Sequence, residues 1–376
     1  MSPQPPEFVP DWSVHPGAVL RNVLEKRGIR QSELAARTGL SAKHVNQIVN
    51  ETIGISGDVA LLLELALDLP VTFWTRLEAD HQAFVSKERS KNQLPALLAW
   101  AARFDSPTLA RHRIAQPGED PAERAEKILK FFGVASPEAF DHTWIQPRVS
   151  FRRSQSFTVA QQNTALWLRL VDRCAQTATV EPLTPSALRK VARTVPAMTN
   201  LSVTDGFTAA HAALAKAGVV LTFIREVPGT RLFGATWWLN ADCPVIGLTE
   251  RSRKPDTFWF NLLHEIAHIL LHPRRTTFIN LEDEKTTNDA AEQEANAFAE
   301  AALLPGNTRA RIARAGTRPE LLLLAAELGI GLSIVAGQHG HVTDKWNVGG
   351  SLRGKITDSD VDELEAPCAP ATWTST

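Results

Sequence analysis

The chain has 376 residues, a formal net charge of −1 at neutral pH and 44% hydrophobic residues, which is typical of a globular protein of two or three domains. This balance gives no overall electrostatic preference for nucleic acid or for a membrane surface. The N-terminus lacks a basic-then-apolar signal and no run of about 18 apolar residues occurs, so secretion and membrane insertion are not expected. Cys174, Cys243 and Cys368 are odd in number and have no paired spacing, which favours a reducing cytoplasm over a disulfide framework.

Residues 15–85, after an N-terminal extension at 1–14, have the pattern of a compact helical domain. An amphipathic segment at 17–27 ends at Gly28, and two short helices then meet at Gly39, the second capped by Ser41. This is the layout of a helix-turn-helix, whose second helix can enter the major groove, although a generic αα-hairpin has a similar pattern. The side chains predicted to contact DNA are Gln31, Ser41, Lys43, His44, Asn46 and Gln47.

Two stretches of this domain, HPGAVLRNVLEKRGIRQSELAARTGLSAKHVNQIVN and LPVTFWTRLEADHQAF, are similar to HigA-type antitoxins. The resemblance implies a repressor that binds double-stranded operator DNA as a homodimer through the helix-turn-helix domain.

Residues 86–150 are interpreted as a helical connector, and residues 151–356 as a domain that mixes helices with a small sheet. Helical periodicity in the second region covers 164–173, 186–193 and 208–217, and β-branched or alternating runs at 219–224, 234–239 and 245–248 predict strands. The predicted fold class is therefore multidomain α+β. An edge strand of such a sheet can pair with an extended peptide, and the charged loop at 274–288 is interpreted as solvated, with shaping of a cleft as the alternative.

The segment WFNLLHEIAHILLH, residues 259–272, contains His-Glu-x-x-His in a pattern that predicts a buried helix. Asp256 is predicted to be its N-cap, and Pro273 is predicted to stop it at His272. Two histidines four residues apart in a helix share one face, so His264 and His268 can bind one metal ion. Glu265 lies beside that face, where it can accept a proton from water. The pattern also arises by chance, but ionisable residues in a buried helix are costly unless they are paired or bind a metal. His272 lies too far along the axis to share an ion with His264.

A zinc site of this kind needs a third protein ligand, and the next helix, predicted to run from a cap at Asn288 or Asp289 to Pro305, carries three glutamates. An apolar stripe of Ala291, Ala295, Phe298 and Ala302 would face the first helix. Glu300 points away from this stripe, whereas Glu292 and Glu294 flank it on opposite sides. Helical geometry alone leaves the choice between these two open.

The segments FWFNLLHEIAHILLH and EQEANAFAEAALLP, preceded by GATWWLNADCPVIGLTERSRKPD, resemble the ImmA/IrrE family of zinc metallopeptidases over roughly residues 150–345. The resemblance implies a zincin-like domain with Zn²⁺ bound by His264, His268 and Glu294, and Glu265 as the general base. It also implies a protein substrate, such as a repressor, an antitoxin or a toxin partner. Zinc would polarise the scissile carbonyl and Glu265 would pass the proton of the attacking water to the leaving amine.

The oxyanion formed in such a reaction needs a further hydrogen-bond donor, and tyrosine is excluded because the chain has none. His339 and His341 are the candidates among the later histidines, with an exposed turn as the alternative interpretation. Residues 357–376 are acidic and then rich in Pro, Ala and Thr, which predicts a disordered tail. The sequence thus predicts a cytoplasmic DNA-binding regulator with a zinc endopeptidase domain. The alternative is a repressor whose peptidase-like domain only senses or binds a partner.

Overall fold

The computed structural model describes residues 12–146, 161–272, 277–281 and 290–368. Contacts between residues divide the chain into two compact units, 1–97 and 98–376. The predicted caps at Asn288 and Asp289 and the stop at Pro273 lie outside the described residues, as does most of the 274–288 loop. Among the helices that are described, none combines the length and apolar character needed to cross a bilayer.

The first unit is a bundle of short helices with a small apolar core. Its helices are α1 (Pro16–Arg27), α2 (Gln31–Thr38), α3 (Ala42–Val49), α4 (Gly57–Leu67) and the beginning of α5 (Val71–Ala101). Gly28 and Gly39 have φ of 66° and 72°, the left-handed conformation that ends a helix at low cost only in glycine. The Ser41 hydroxyl accepts a hydrogen bond from the backbone N–H of His44, as the predicted cap requires. Fully buried core residues here are Leu20, Leu34, Val45, Leu63 and Trp74.

The second unit contains the remaining elements, which surround one four-stranded sheet. Its helices are α6 (Ser106–Arg111), α7 (Pro121–Phe132), α8 (Pro137–Phe140), α9 (Gln161–Ala175), α10 (Pro185–Met198), α11 (Val203–Ala217), α12 (Pro255–Leu271), α13 (Ala290–Leu303), α14 (Thr308–Arg314), α15 (Arg318–Leu328), α16 (Leu332–Thr343), α17 (Trp346–Gly349) and α18 (Asp358–Glu365). The strands are β1 (Val220–Phe223), β2 (Leu232–Asn240), β3 (Cys243–Leu248) and β4 (Phe278–Leu281), in the spatial order β1-β3-β2-β4. The multidomain α+β prediction is confirmed.

The sheet and α12 form the centre of this unit. β1 pairs with β3 in parallel, and β2 pairs with β3 and β4 antiparallel, so that Thr236 lies opposite Ile246 on one side and Phe278 on the other. α12 packs against β2, β3 and α13. It is buried nearly all round, because Leu262, Leu263, Ile266 and Ala267 belong to the apolar core.

Three expectations about loops, the tail and helix ends were wrong. The loop between α12 and α13 contains an edge strand, β4, which the charged composition of the loop concealed. The first part of the predicted tail forms α18, because Thr357 and Asp360 make a reciprocal cap and its apolar residues Val361 and Leu364, three apart, are buried. Residues 369–376 of that tail lie outside the described residues. Asp256 is not the cap of α12, which begins at Pro255 with Lys254 before it.

The cysteine prediction also failed. Cys174 of α9 and Cys368, 194 residues apart in sequence, form a disulfide with a Cα–Cα distance of 5.1 Å, and Cys243 is free. Spacing along the chain carries no information about a pair brought together by tertiary packing. The argument for a reducing compartment from cysteine usage therefore no longer stands.

Candidate metal centre

The side chains of His264, His268 and Glu292 converge between α12 and α13. The Nε2 atoms of the two histidines lie 2.9 Å apart, and the Glu292 carboxylate is 3.1 Å from His264 Nε2 and 3.5 Å from His268 Nε2. One ligand atom from each residue lies within 4.8 Å of the other two, and all three residues are buried. This is the only such group of three or more ligating residues in the described part of the chain. The arrangement suits one divalent cation.

The structure corrects the choice between the two glutamates of α13, since Glu292 and not Glu294 faces the histidines. Glu292 shares the buried face of α13 with Ala295, Ala299 and Leu303. Glu294 lies about 200° around the helix from Glu292 at 3.6 residues per turn, and its side chain is 63% exposed. The buried face is therefore rotated toward Glu292 relative to the predicted stripe, whose members Ala291, Phe298 and Ala302 are only partly buried.

Each ligand histidine also has a partner on its outer nitrogen. His264 Nδ1 lies 3.0 Å from Asn296 Oδ1. His268 Nδ1 lies 2.9 Å from Nδ1 of His272, whose Nε2 is 3.4 Å from a carboxylate oxygen of Glu294. Outer contacts of this kind set the tautomer and the ring orientation of a ligand histidine.

Glu265 is fully buried next to this cluster and opposite β2. Its Oε2 accepts a hydrogen bond of 2.7 Å from the Thr236 hydroxyl, and its Oε1 has no hydrogen-bond partner among the described residues. A Cβ on Gly234 would lie 3.2 Å from that Oε1, so glycine keeps the space beside it open. Burial, together with the charge of Glu292, raises the pKa of Glu265 to about 7, against the lowering effects of His264, Thr236 and the nearby Asn280 amide. A carboxyl with such a pKa can both accept and release a proton near neutral pH.

The charges around His264 favour a cation at this place. Burial lowers the pKa of the His264 imidazole, but the hydrogen bond that His264 donates to the Glu292 carboxylate and the negative charges of Glu265 and Glu292 outweigh it and raise the pKa overall. Two carboxyl groups are therefore buried beside two imidazoles, an arrangement that a divalent ion would neutralise.

A cavity of about 400 Å³ opens onto the cluster. His264, Glu292 and His341 all line it, whereas His339 is buried and does not. The His341 ring packs edge-on against Trp346, with ring centroids 5.0 Å apart. Both histidines belong to α16, so the exposed turn considered for them does not occur. The other lining residues are Phe233, Asp256, Thr257, Phe260, Asn261, Asn280, Asn296, Glu300, Leu303, Arg309, Ile334 and Gln338.

A larger cavity of about 610 Å³ lies elsewhere, between α10, α13 and α15. Its lining is mainly apolar, with Arg189 and Arg193 as its charged members, and it contains none of the convergent ionisable groups described above. The smaller cavity is therefore the better candidate for a functional site in this unit.

Sequence reasoning missed the residues that support the cluster. Asn296 lies four residues after Glu292 and so on nearly the same face of α13, a spacing visible in the sequence once Glu292 is chosen. Thr236 and Asn280 come from two different strands, and Asn280 donates a 3.0 Å hydrogen bond to Asn261 of α12. No sequence signal connects these strand residues with Glu265, because only the sheet brings them to α12.

In the first unit, the predicted DNA-contact residues lie on or beside α2 and α3. Lys43 and Asn46 are exposed, and His44 and Gln47 are half-buried. The Asn46 amide donates to Gln31 Oε1 at 3.2 Å, while Ser41 caps α3. These six side chains therefore border one surface, whose contact with DNA stays a prediction.

Comparison with known proteins finds two separate family matches, one in each of the two units. Residues 20–74 match the family model for a helix-turn-helix, and residues 225–337 match that of the M78 peptidases, described as the IrrE N-terminal-like domain. The chain is 26% identical over 342 residues to a protein of Cereibacter sphaeroides named propionyl-CoA carboxylase regulator, covering 86% of this chain and 64% of that protein's length.

A solved structure, Pseudomonas aeruginosa antitoxin HigA with the higBA promoter, is 32% identical over 22% of this chain and 91% of the HigA chain, with a TM-score of 0.21. The family matches cover both the helices α2 and α3 and the His-Glu-x-x-His helix α12. The chain therefore contains a region at 20–74 that matches the helix-turn-helix model and a region at 225–337 that matches the IrrE N-terminal-like domain of the M78 peptidases.

Proposed function

We propose that the second unit is a zinc-dependent endopeptidase and that the first unit attaches it to operator DNA. The observation that supports the peptidase is the convergence of His264, His268 and Glu292 beside a fully buried Glu265, with His264 and Glu292 lining a cavity. Two histidines and a carboxylate are a donor set that catalytic zinc sites use, with a further coordination position left for water.

Zinc fits these residues better than magnesium or calcium does. Imidazole nitrogens suit zinc, whereas the hard cations prefer sites made of oxygen donors. The chemistry that zinc supplies when bound there is Lewis-acid polarisation of a carbonyl and a lowered pKa of coordinated water.

Glu265 has the geometry of a general base for this reaction. Its Oε2 is held by Thr236, which leaves Oε1 to accept the proton of the attacking water and then pass it to the leaving amine. A carboxylate is costly to bury when one of its oxygens has no hydrogen-bond partner. A domain that only binds a partner protein has no need for such a group. This is the strongest argument for hydrolysis over binding alone.

The cavity and the neighbouring strand suit an extended peptide. Amide side chains from Asn261, Asn280 and Gln338 can hydrogen-bond to a peptide backbone, and Phe233 and Phe260 offer apolar contact. β4 is an edge strand of the described sheet and can pair with a substrate strand. His341, which lines the cavity, is the proposed donor to the oxyanion, and buried His339 is not.

The polar surface of α2 and α3 is the proposed DNA contact. Exposed Lys43 and Asn46 can reach phosphates and base edges when α3 enters the major groove, and a homodimer would place two such helices on a symmetric operator. We expect Lys43→Ala combined with Asn46→Ala to weaken operator binding by at least about tenfold at fixed salt, because a phosphate and a base contact are lost together. An electrophoretic mobility shift measures this, and unchanged affinity would contradict the assignment. Lys87→Ala, which removes a positive charge at an exposed position of α5, is the control.

A second candidate function is favoured by one comparison. The Cereibacter sphaeroides relative is named a regulator. In this second candidate function, the second unit senses or binds a partner protein, such as a repressor, antitoxin or toxin, without cleaving it. Both candidates share DNA binding and differ in whether the carboxylate of Glu265 is needed.

The test uses Glu265→Gln in the full chain. The peptidase proposal predicts that this variant retains zinc and loses hydrolysis, so that an uncut partner protein accumulates with it in cells and is cleaved by the wild type. Mass spectrometry of new N-termini, compared between the two proteins, measures the cleavage. Identical N-termini in both strains, with regulation unaffected by the substitution, would favour the second candidate.

A further inference from the structure

We propose that His272, which shares a hydrogen bond with His268, and Glu294, whose carboxylate lies 3.4 Å from the far side of His272 without a hydrogen bond in this structure, form a relay of contacts, and that both are positioning residues for the metal centre. This inference rests on the proposed metal site. It assigns a role to His272 and Glu294, which are close to the proposed metal ligands but are not ligands themselves.

Three contacts in series define the relay. His268 presents Nε2 to Glu292 and Nδ1 to His272, with an Nδ1–Nδ1 distance of 2.9 Å. The opposite nitrogen of His272, Nε2, lies 3.4 Å from Glu294. The series therefore leads from the buried ligand cluster to a carboxylate that is 63% exposed.

The donor and acceptor roles along this series are set by one requirement. A histidine that binds metal through Nε2 carries its hydrogen on Nδ1. His268 must then donate from Nδ1, and His272 must accept with its own Nδ1. Neutral His272 consequently carries its hydrogen on Nε2, the atom that faces the Glu294 carboxylate. Each nitrogen has one role, and no group needs to change its charge.

Packing holds the rings in place for these contacts. The Phe278 ring stacks on His268 at 4.0 Å between centroids, and the His272 ring lies 5.2 Å from the same phenylalanine. The His272 side chain is only 6% exposed. β4 therefore fixes both imidazoles from one side, and Glu294 contacts the second from the other helix.

The other ligand histidine is supported differently. His264 meets the neutral amide of Asn296 directly, without an intervening ring. Glu292, Glu294 and Asn296, at alternate positions of α13, thus supply a ligand and the two outer supports. In this arrangement Glu294 contacts His272 from the surface and is not itself a ligand.

Removing an outer partner of a metal-bound histidine typically lowers metal affinity by about 10- to 100-fold. We expect His272→Phe, which keeps a ring against Phe278 but removes both nitrogens, to weaken zinc binding by at least about tenfold. In His272→Gln the side-chain oxygen can again accept from His268, so affinity should recover to within about threefold of wild type. Glu294→Gln should have a smaller effect than His272→Phe because its carboxylate is largely solvated.

The experiment measures zinc affinity of the full chain by competition with a chromophoric chelator. Gln293→Ala, at an exposed position of the same helix, is the matched control and should bind zinc as the wild type does. Melting of the metal-free proteins checks that His272→Phe folds. Long-range ¹H–¹⁵N correlation spectra of the zinc-loaded wild type report the tautomers directly, which a merely structural role for His272 would not determine.

The expected result is His272 with its hydrogen on Nε2, together with the order of affinities given above. Wild-type affinity in His272→Phe, no recovery in His272→Gln, or a hydrogen on Nδ1 of His272 would overturn the relay while leaving the metal site intact. Failure of the wild-type chain itself to bind zinc would overturn the proposed function as well, so the two failures are distinguishable.

Discussion

Replacing Glu265 with glutamine should stabilise the metal-free protein at neutral and alkaline pH, in addition to abolishing hydrolysis. The carboxyl group is fully buried, and its Oε1 has no hydrogen-bond partner among the described residues. Glutamine has nearly the same shape and can still accept the hydrogen bond from Thr236, but it carries no charge. The substitution therefore isolates the free-energy cost of burying an ionised carboxylate.

The magnitude follows from the shift in the pKa of Glu265, from 4.5 to about 7. Because the folded state holds the proton more tightly than the unfolded chain does, the ionisation penalty is absent below pH 4.5 and complete above pH 7. At 1.36 kcal/mol per pKa unit, the penalty in the wild type is about 3 kcal/mol at pH 8 and less than about 1 kcal/mol at pH 5. Glutamine has no such pH dependence.

Calorimetric melting in the presence of a chelator measures the effect. With about 2–4 °C of Tm per kcal/mol for a unit of this size, the Tm of Glu265→Gln relative to wild type should rise by about 5–10 °C between pH 5 and pH 8. Equal Tm differences at the two pH values, or a variant that loses stability as pH rises, would refute the reasoning. The comparison cancels the titrating groups that Glu265 does not influence, because they behave alike in both proteins, whereas the pKa of His264 also changes when the Glu265 charge is removed.

Two further predictions concern Glu292 and Gly337. Glu292→Ala should weaken zinc binding by more than about 100-fold in the competition assay, since it removes a ligand and not only an outer partner, and wild-type affinity would show that the third ligand is another residue. Gly337→Ala should lower the free energy of unfolding by about 1–3 kcal/mol, because its Cβ would lie 2.0 Å from the buried Asp256 carboxylate. Gly57→Ala, where the Cβ meets nothing within 4 Å, is the control in the same denaturation experiment, and an equal effect of the two would contradict this account.

The Asp256 environment illustrates a residue whose role sequence patterns misassigned. As the second residue of α12, an aspartate suits a capping role, yet its side chain pairs instead with Arg353, 97 residues later, with an Nη2–Oδ2 distance of 2.8 Å. Arg353 in turn lies over the ring of Trp346 at 5.1 Å, and that ring supports His341. A local rule cannot anticipate this series, because Asp256 and its partner Arg353 lie 97 residues apart and meet only in the folded protein.

Much of the candidate site was nevertheless predictable from local periodicity. The pitch of one helix places His264 and His268 on one face with Glu265 beside it. The apolar residues around them predicted that this helix is buried, and histidines in a buried helix were therefore interpreted as metal ligands. Gly39 and Ser41 likewise marked the junction of α2 and α3, because a left-handed turn and an N-cap are properties of single residues. The boundaries of the predicted domains stay a prediction.

Tertiary structure alone decided which glutamate completes the cluster. Glu292 and Glu294 are chemically identical and two residues apart, and the close packing of Ala295 and Ala299 on α12 turns one inward and leaves the other to His272. The same holds for Thr236 beside Glu265 and for the disulfide between Cys174 and Cys368, which join distant parts of the chain. Local sequence determines what lies on one face of a helix, whereas the meeting of two faces depends on the packing of the whole core.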